Sequence, residues 1–399
     1  MHISRRALIK ATLATGLVPL ISRFGFAADW ASIEAEAKGQ TVFFNAWAGS
    51  ETINAYIAWT GEQVKSRFGV TLNHVKITDT AEVVRRVRDE IKVGKADGSA
   101  DLVWINGENF RAMKADKLLF GPFAPRLPNF KYVDTEGKPT TLNDFAEPTD
   151  GLESPWGMAQ LTFFGDGSKI PTPPKSMVEL VAFAKANPGR VSYPAPPDFH
   201  GTTFVKQALI DTIADKTQLS KPATKEQFAM VSAPMFALLD SLRPHLWREG
   251  KQYPQSQAQL KQMLADGELL MALTFNPNDA ANLVAAKELP DTTVAWQFTA
   301  GTIGNTHFVA IPVNSKASAA AQVVANFLIS PEAQARKADL KMWGDPTVLG
   351  MAKLSADDAK LFTGGDVTGS IKAPAPAIPE PHGSWVLLIE AAWLEHYGA

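Results

Sequence analysis

Along residues 41–120 the apolar positions switch between two periods. Thr41-Val42-Phe43-Phe44 is a short apolar run of strand length. Ile53, Ile57 and Val64 then recur on one side of a helical wheel, which predicts a helix from Glu51 to about Arg67 with Ser50 as its cap. Val70 to Ile77 carries apolar Val70, Leu72 and Val75 and predicts a second strand. Thr80 caps the next predicted helix, Ala81 to about Val93, and Asp101 to Ile105 reads as a third strand. The loop Asn106-Gly107-Glu108-Asn109 leads into a helix containing Phe110 and Met113. Three strand–helix units in succession imply parallel strands with right-handed crossovers.

The rhythm then breaks. Residues from about Phe120 to Asp150 hold many prolines and glycines and little periodicity, and Pro155 to Phe164 is an extended run. A second α/β pattern follows: helix Ser176 to Ala186, strand Arg190 to Tyr193, helix from about Thr202 to Ile213, helix near Gln255 to Ala265 and strand Leu269 to Phe275. Phe298 to Pro312 contains another extended stretch, and the helix starting at Ala317 breaks at Ser330-Pro331 and restarts. At 399 residues the chain exceeds what one core usually serves, so two domains are expected.

The N-terminus changes the picture. His2, Arg5, Arg6 and Lys10 form a basic region ahead of the apolar stretch Ala11 to Ile21, too short to span a membrane, and small residues precede Asp29. Residues 1–27 therefore read as a cleaved export signal, and Ser4 to Lys10 resembles the twin-arginine motif, with Leu8 where that motif usually has Phe. Cleavage removes Arg5, Arg6, Lys10 and Arg23 and no acidic residue, taking the formal net charge from −2 to −6. That balance, with no basic run, argues against nucleic acid or an anionic membrane as partner. The chain has no cysteine, hence no disulfide and no thiolate site.

Taken together these features resemble a periplasmic solute-binding protein of a bacterial ABC importer, over nearly the whole mature length. The strongest local marker is Phe327-Leu328-Ile329-Ser330-Pro331-Glu332-Ala333-Gln334, the family's helix-break segment. The segment Asn45 to Ser50 resembles its first ligand loop, and Ile378 to Trp385 resembles the YnjB-like subgroup, akin to thiamine- and polyamine-type binders. The resemblance implies a type II two-lobed α/β fold, each lobe a doubly wound, mainly parallel sheet, joined by two or three crossover hinges. Residues 28–154 would begin lobe I, 155–304 would form lobe II, 305–345 would return to lobe I, and 346–399 would be C-terminal helices of unassigned lobe. It also implies a small-molecule ligand, a membrane permease with its ATPase, a periplasmic location, no membrane-embedded part, and no catalytic residue, cofactor or metal. A monomer is the default.

Ligands of open α/β sheets sit beyond the carboxyl ends of strands. That rule selects Trp47 and Ser50 after the first strand, Asp79 and Thr80 after the second, and Asn106 and Glu108 after the third. In the second half it selects His200 and Thr202, and Asn276 and Asp279. Asn305 opens the return run, and Trp156 stands at the first crossover, where its ring would face the cleft and stack on a planar or cationic guest. Ser50, Thr80 and Thr202 stand at predicted helix starts, which serve as caps or favour an anion. Convergence of Asp79, Glu108 and Asp279 would favour an organic cation or a cationic heterocycle. The rival reading is an exported enzyme or a metal-binding protein using His200, His307 and Glu108 across the cleft. The sequence carries no Gly-x-Ser-x-Gly elbow, no phosphate-binding glycine loop and no His-Glu-x-x-His helix.

Overall fold

The computed structural model describes residues 30–362, 367–371 and 375–398. The predicted export signal lies outside them. Helix α1 (residues 30–37) precedes three strand–helix units: β1 (Thr41–Trp47) and α2 (Glu51–Phe68), β2 (Thr71–Ile77) and α3 (Thr80–Lys92), β3 (Leu102–Ile105) and α4 (Gly107–Ala115). β1 lies between β2 and β3 and pairs with both in parallel, as the repeated units require.

The long run at the first crossover is two strands. β6 (Glu153–Gln160) pairs antiparallel with β10 (Thr302–Ala310), and β10 pairs antiparallel with β3. Leu161 ends that pairing, and β7 (Thr162–Asp166) enters a different sheet, antiparallel to β8 (Met271–Thr274) and β9 (Thr293–Trp296). The expectation of a mainly parallel sheet therefore fails for this second sheet. β7 arrives straight from the crossover and runs opposite to strands that each follow a helix. The predicted strand Arg190 to Tyr193 is an extended segment instead, joined to its neighbours by Leu270 N–H to Arg190 O (2.9 Å) and Trp247 N–H to Val191 O (2.8 Å).

Alternation along β10 builds the first lobe. Val309 turns to a core with Val42, Phe44, Tyr56, Ile57, Trp156 and Trp343, while Phe308 and Ala310 turn to the opposite face with Val83, Val87, Phe110 and Met113. The second lobe has its own core around Phe163, Phe164, Phe204, Leu209, Met235 and Leu273, enclosed by α5 (Met177–Ala186), α6 (Phe199–Thr212), α7 (Lys225–Leu242), α8 (Gln257–Ala265) and α9 (Asp279–Ala285). After α10 (Ser318–Leu328) and α11 (Pro331–Ala338), Val348 and Leu349 join the first core. The short helix α12 (Ala356–Ala359) follows. β11 (Ala377–Pro379) then pairs with β10, and α13 (Ser384–Tyr397) buries Trp385, Ile389 and Trp393 in the second core. The last fifty residues thus divide between the lobes. Among the described residues no helix is long and apolar enough to cross a membrane.

Candidate functional site

Where the lobes meet, carboxylates from both sides gather. Glu108 stands in the first turn of α4, whose first backbone N–H (Gly107) is held by Asp144 Oδ2 at 2.7 Å. Asp144 belongs to a hairpin of β4 (Asn143–Asp144) and β5 (Glu147–Pro148). Its tip residues Phe145 and Ala146 adopt φ of 45° and 60°, a two-residue turn with both angles positive that normally calls for glycine or asparagine. A bulky residue there is strained and stays so only because its surroundings hold it. Gly107, itself at φ 60°, lets the ring in: a Cβ there would stand 2.8 Å from Phe145.

From the second lobe, α6 presents Lys206. Its Nζ lies 2.6 Å from Glu380 Oε2, and both side chains are only 1 % exposed. The ammonium also sits over the rings of Phe145 (4.7 Å) and Phe199 (5.5 Å). Asn305 of β10 donates through Nδ2 to Glu380 Oε1 at 3.1 Å, while its Oδ1 is buried without a partner. Thr202 donates to Glu390 Oε1 at 2.8 Å, bringing a carboxylate of α13 into the group. Burial pushes the Glu390 carboxyl up to about 7, opposed by the Thr202 bond and Lys206 and reinforced by Glu108 and Asp79. Burial likewise raises Glu108, against the pull of Lys206 and with the push of Glu380 and Asp79. Behind them Asp144 and Glu153 are wholly buried, and desolvation raises both carboxyls well above the usual range, reinforced by Glu108, Glu380 and Glu147 at Asp144 and by Asp144 and Glu147 at Glu153.

The predicted residues divide. Glu108, Thr202 and Asn305 are in this cluster, and Asp79 is close enough to act on it electrostatically. Asp79, not Thr80, caps α3, accepting from Ala81 N–H at 2.8 Å, while the Thr80 hydroxyl donates to Trp104 O at the end of β3. Thr202 is no helix start either, because Asp198 caps α6 four residues earlier. Ser50 occupies the cap position of α2, but its hydroxyl pairs with Thr52 (2.9 Å). Asn106 occupies that position of α4 and makes no cap bond through its side chain. Trp47 is half-buried at the end of β1 and packs on the first core. His200 is paired loosely with Asp198 (3.7 Å), and burial lowers its basicity.

Trp156 is corrected outright as a cleft wall. It is 0 % exposed and packs among Trp104, Trp343 and Tyr56, with Lys337 Nζ 3.9 Å from its ring centre. Asp279 does not join Glu108; it receives Lys261 (3.3 Å) and Gln257 (3.1 Å). Asn276 spans the lobes, donating to Trp343 O at 2.9 Å, as Asn282 does at 2.7 Å. His307 lies beside Asp345 (3.8 Å), remote in contacts from His200. Among the described residues no group of three His, Asp or Glu side chains is placed to hold a metal ion. Lys206, Phe145, Phe199, Glu380 and Glu390 were not singled out from the sequence. A lysine flanked by Phe204, Val205, Ala208 and Leu209 on a helix was a readable sign of a buried cation.

The model of a bacterial extracellular solute-binding protein matches residues 59–363. The chain belongs to that family. It is 46 % identical over 387 residues to Protein YnjB of Escherichia coli (strain K12), covering 96 % of this chain and 97 % of that one. Among solved structures, a putative spermidine/putrescine ABC transporter protein from Listeria monocytogenes superposes with a TM-score of 0.62 at 14 % identity, covering 90 % of this chain and 98 % of that one. The periplasmic binding protein AfuA from Actinobacillus pleuropneumoniae, with fructose-6-phosphate bound, gives 0.61 at 14 %, covering 90 % and 99 %.

Proposed function

We propose that this solute-binding protein captures a small organic cation between its lobes and hands it to the permease and ATPase of an ABC importer in the periplasm. The single observation that carries the ligand class is the surplus of acid. Glu380 and Asp79 push on Glu108, and Glu108 and Asp79 push on Glu390, while Lys206 supplies the opposing charge. Desolvated like charges raise one another's proton affinity, and a cation placed among them relieves that repulsion. The fold leaves the sign of the ligand open, since one structural neighbour is named for a polyamine transporter and another holds a sugar phosphate. The acidic side chains favour a cation.

Closure follows from the chemistry. Glu108 and Glu390 belong to different lobes, so neither lobe alone completes the site. Delivery, not turnover, is the role. Export precedes it, directed by residues 1–27 through the twin-arginine route, and Arg5→Lys/Arg6→Lys should leave the precursor uncleaved in the cytoplasm. The ligand class is tested by thermal unfolding at pH 8 with choline, thiamine, n-butylammonium, fructose 6-phosphate and glucose. A ligand that binds only the folded state raises the melting temperature by mass action. The cations should raise it and the sugars should not; a rise with fructose 6-phosphate alone would refute the reading.

A further inference from the structure

Lys206 has surroundings of the kind that recognise a free ammonium. Its Nζ meets one carboxylate, Glu380, at 2.6 Å and two aromatic faces, Phe145 and Phe199. The position is built, not incidental. Lys206 and Glu380 are nearly inaccessible, Asn305 holds the second Glu380 oxygen at 3.1 Å, and Phe145 reaches the ammonium only through a strained turn. Asn305 Oδ1, in a side chain 4 % exposed, lies beside this pair with no partner. Glu108 and Glu390 differ from Glu380 in what they bond. Glu390 receives a threonine hydroxyl at 2.8 Å and Glu108 an asparagine amide at 3.4 Å, both neutral.

We infer that the Lys206 ammonium is a resident cation filling one of two ammonium subsites, so that the cleft accepts a guest with a single cationic centre and rejects a dication. This rests on the cation reading above and narrows it. The guest's cationic centre lies between Glu108 and Glu390, whose charge Lys206 does not neutralise by direct contact. A second ammonium on a short chain would be driven toward Lys206, whose charge already acts on both Glu108 and Glu390, and like charges in a desolvated site repel strongly.

The test uses n-butylammonium and putrescine, which share a four-carbon chain and differ by one charge. Titration calorimetry at pH 8 is run on the mature wild type, on Lys206→Met and on Lys206→Met/Glu380→Gln. The wild type should prefer n-butylammonium by about 10-fold or more, the scale of one unfavourable charge contact. Lys206→Met leaves the carboxylate and the aromatic faces for a guest, so putrescine should become the tighter ligand. Removing the carboxylate as well should restore the preference for the monocation. The wild-type comparison stands even where Lys206→Met, with Glu380 left buried and unpaired, fails to fold. Equal or tighter putrescine binding by the wild type overturns the inference and leaves the cation reading intact. An unchanged ratio in Lys206→Met does the same. Binding of neither amine, with fructose 6-phosphate bound instead, overturns both.

Discussion

Two buried lysines set the terms. Lys206 meets Glu380 and Lys337 meets Asp345, each at 2.6 Å, each pair almost wholly buried, and each ammonium lies over two aromatic rings. By chemistry alone they are the same motif. The Lys337 pair is sealed in the first core: Lys337 also donates to Trp156 O at 2.7 Å, and Trp156 and Trp343 cover it at 3.9 and 4.2 Å. Gly157 makes room for it, since a Cβ there would meet both Lys337 Nζ and Asp345 Oδ2 at 2.0 Å. Burial lowers Lys337 to about 8, although Asp345 raises it, and burial lifts Asp345 to about 6 although Lys337 lowers it. The Lys206 pair sits instead between the lobes, beside Glu108 and Glu390, which among the described residues bond an asparagine amide and a threonine hydroxyl, both neutral. A buried ion pair is therefore not in itself a sign of a site. Unmatched charge on elements from both lobes is.

The largest effect should come from breaking the sealed pair. Lys337→Met strands Asp345 in the core and should cost about 3–5 kcal/mol in urea unfolding. No cation should rescue it, because no guest can reach that pocket. If an added amine restores its stability, as putrescine should for Lys206→Met, the contrast between the two lysines is lost.

Gly107→Ala comes next. The left-handed backbone costs a residue with a Cβ about 1–2 kcal/mol, and the new methyl displaces Phe145. Both stability and ligand affinity should fall, since Glu108 is the next residue. A variant with affinity intact would detach the hairpin from the site.

The pH dependence separates the regions more finely. Glu390 titrates near 7, so it is protonated below that and ionised above it. Cation affinity should rise between pH 6 and pH 8, and Glu390→Gln should flatten the rise. The ligand-free protein should show the opposite trend. Its folded state holds a proton on Glu390 that the unfolded chain, at the ordinary 4.5, has lost, so this contribution to stability is present at low pH and disappears as pH rises through about 7. Calorimetry and thermal melts at matched ionic strength check both signs.

Smallest is Asn276→Ala. Loss of its bond to Trp343 O removes one tie between the lobes, with Asn282 still on the same oxygen. About 1 kcal/mol, read as a few-fold weaker ligand affinity, is expected, with little change in the melting of either core.

The strand–helix order of the first lobe was legible because its periods of two and 3.6 alternate cleanly. The second sheet was less so: β6 and β7 form one unbroken extended run, and only pairing partners far away in sequence separate them at Leu161. The loop rule selected Glu108 and Thr202, which stand in the carboxylate cluster, but not Lys206, Glu380 and Glu390, which lie on helix faces or beyond a short edge strand. Phe145 was hidden for another reason, since its place depends on a strained turn that its sequence does not advertise. Trp156 misled because a tryptophan at a crossover suits a cleft wall and a core equally well, and only the packing of Trp104 and Trp343 around it decides.

In the proposed site one guest is gripped by Glu108 from the first lobe and Glu390 from the second. Titration calorimetry of n-butylammonium into the wild type, Glu108→Gln, Glu390→Gln and the double variant tests that most directly. Each single change should weaken binding by about 10-fold or more, and the double should lose less than the two together, because either loss already opens the grip. Affinity unchanged in both single variants would contradict it.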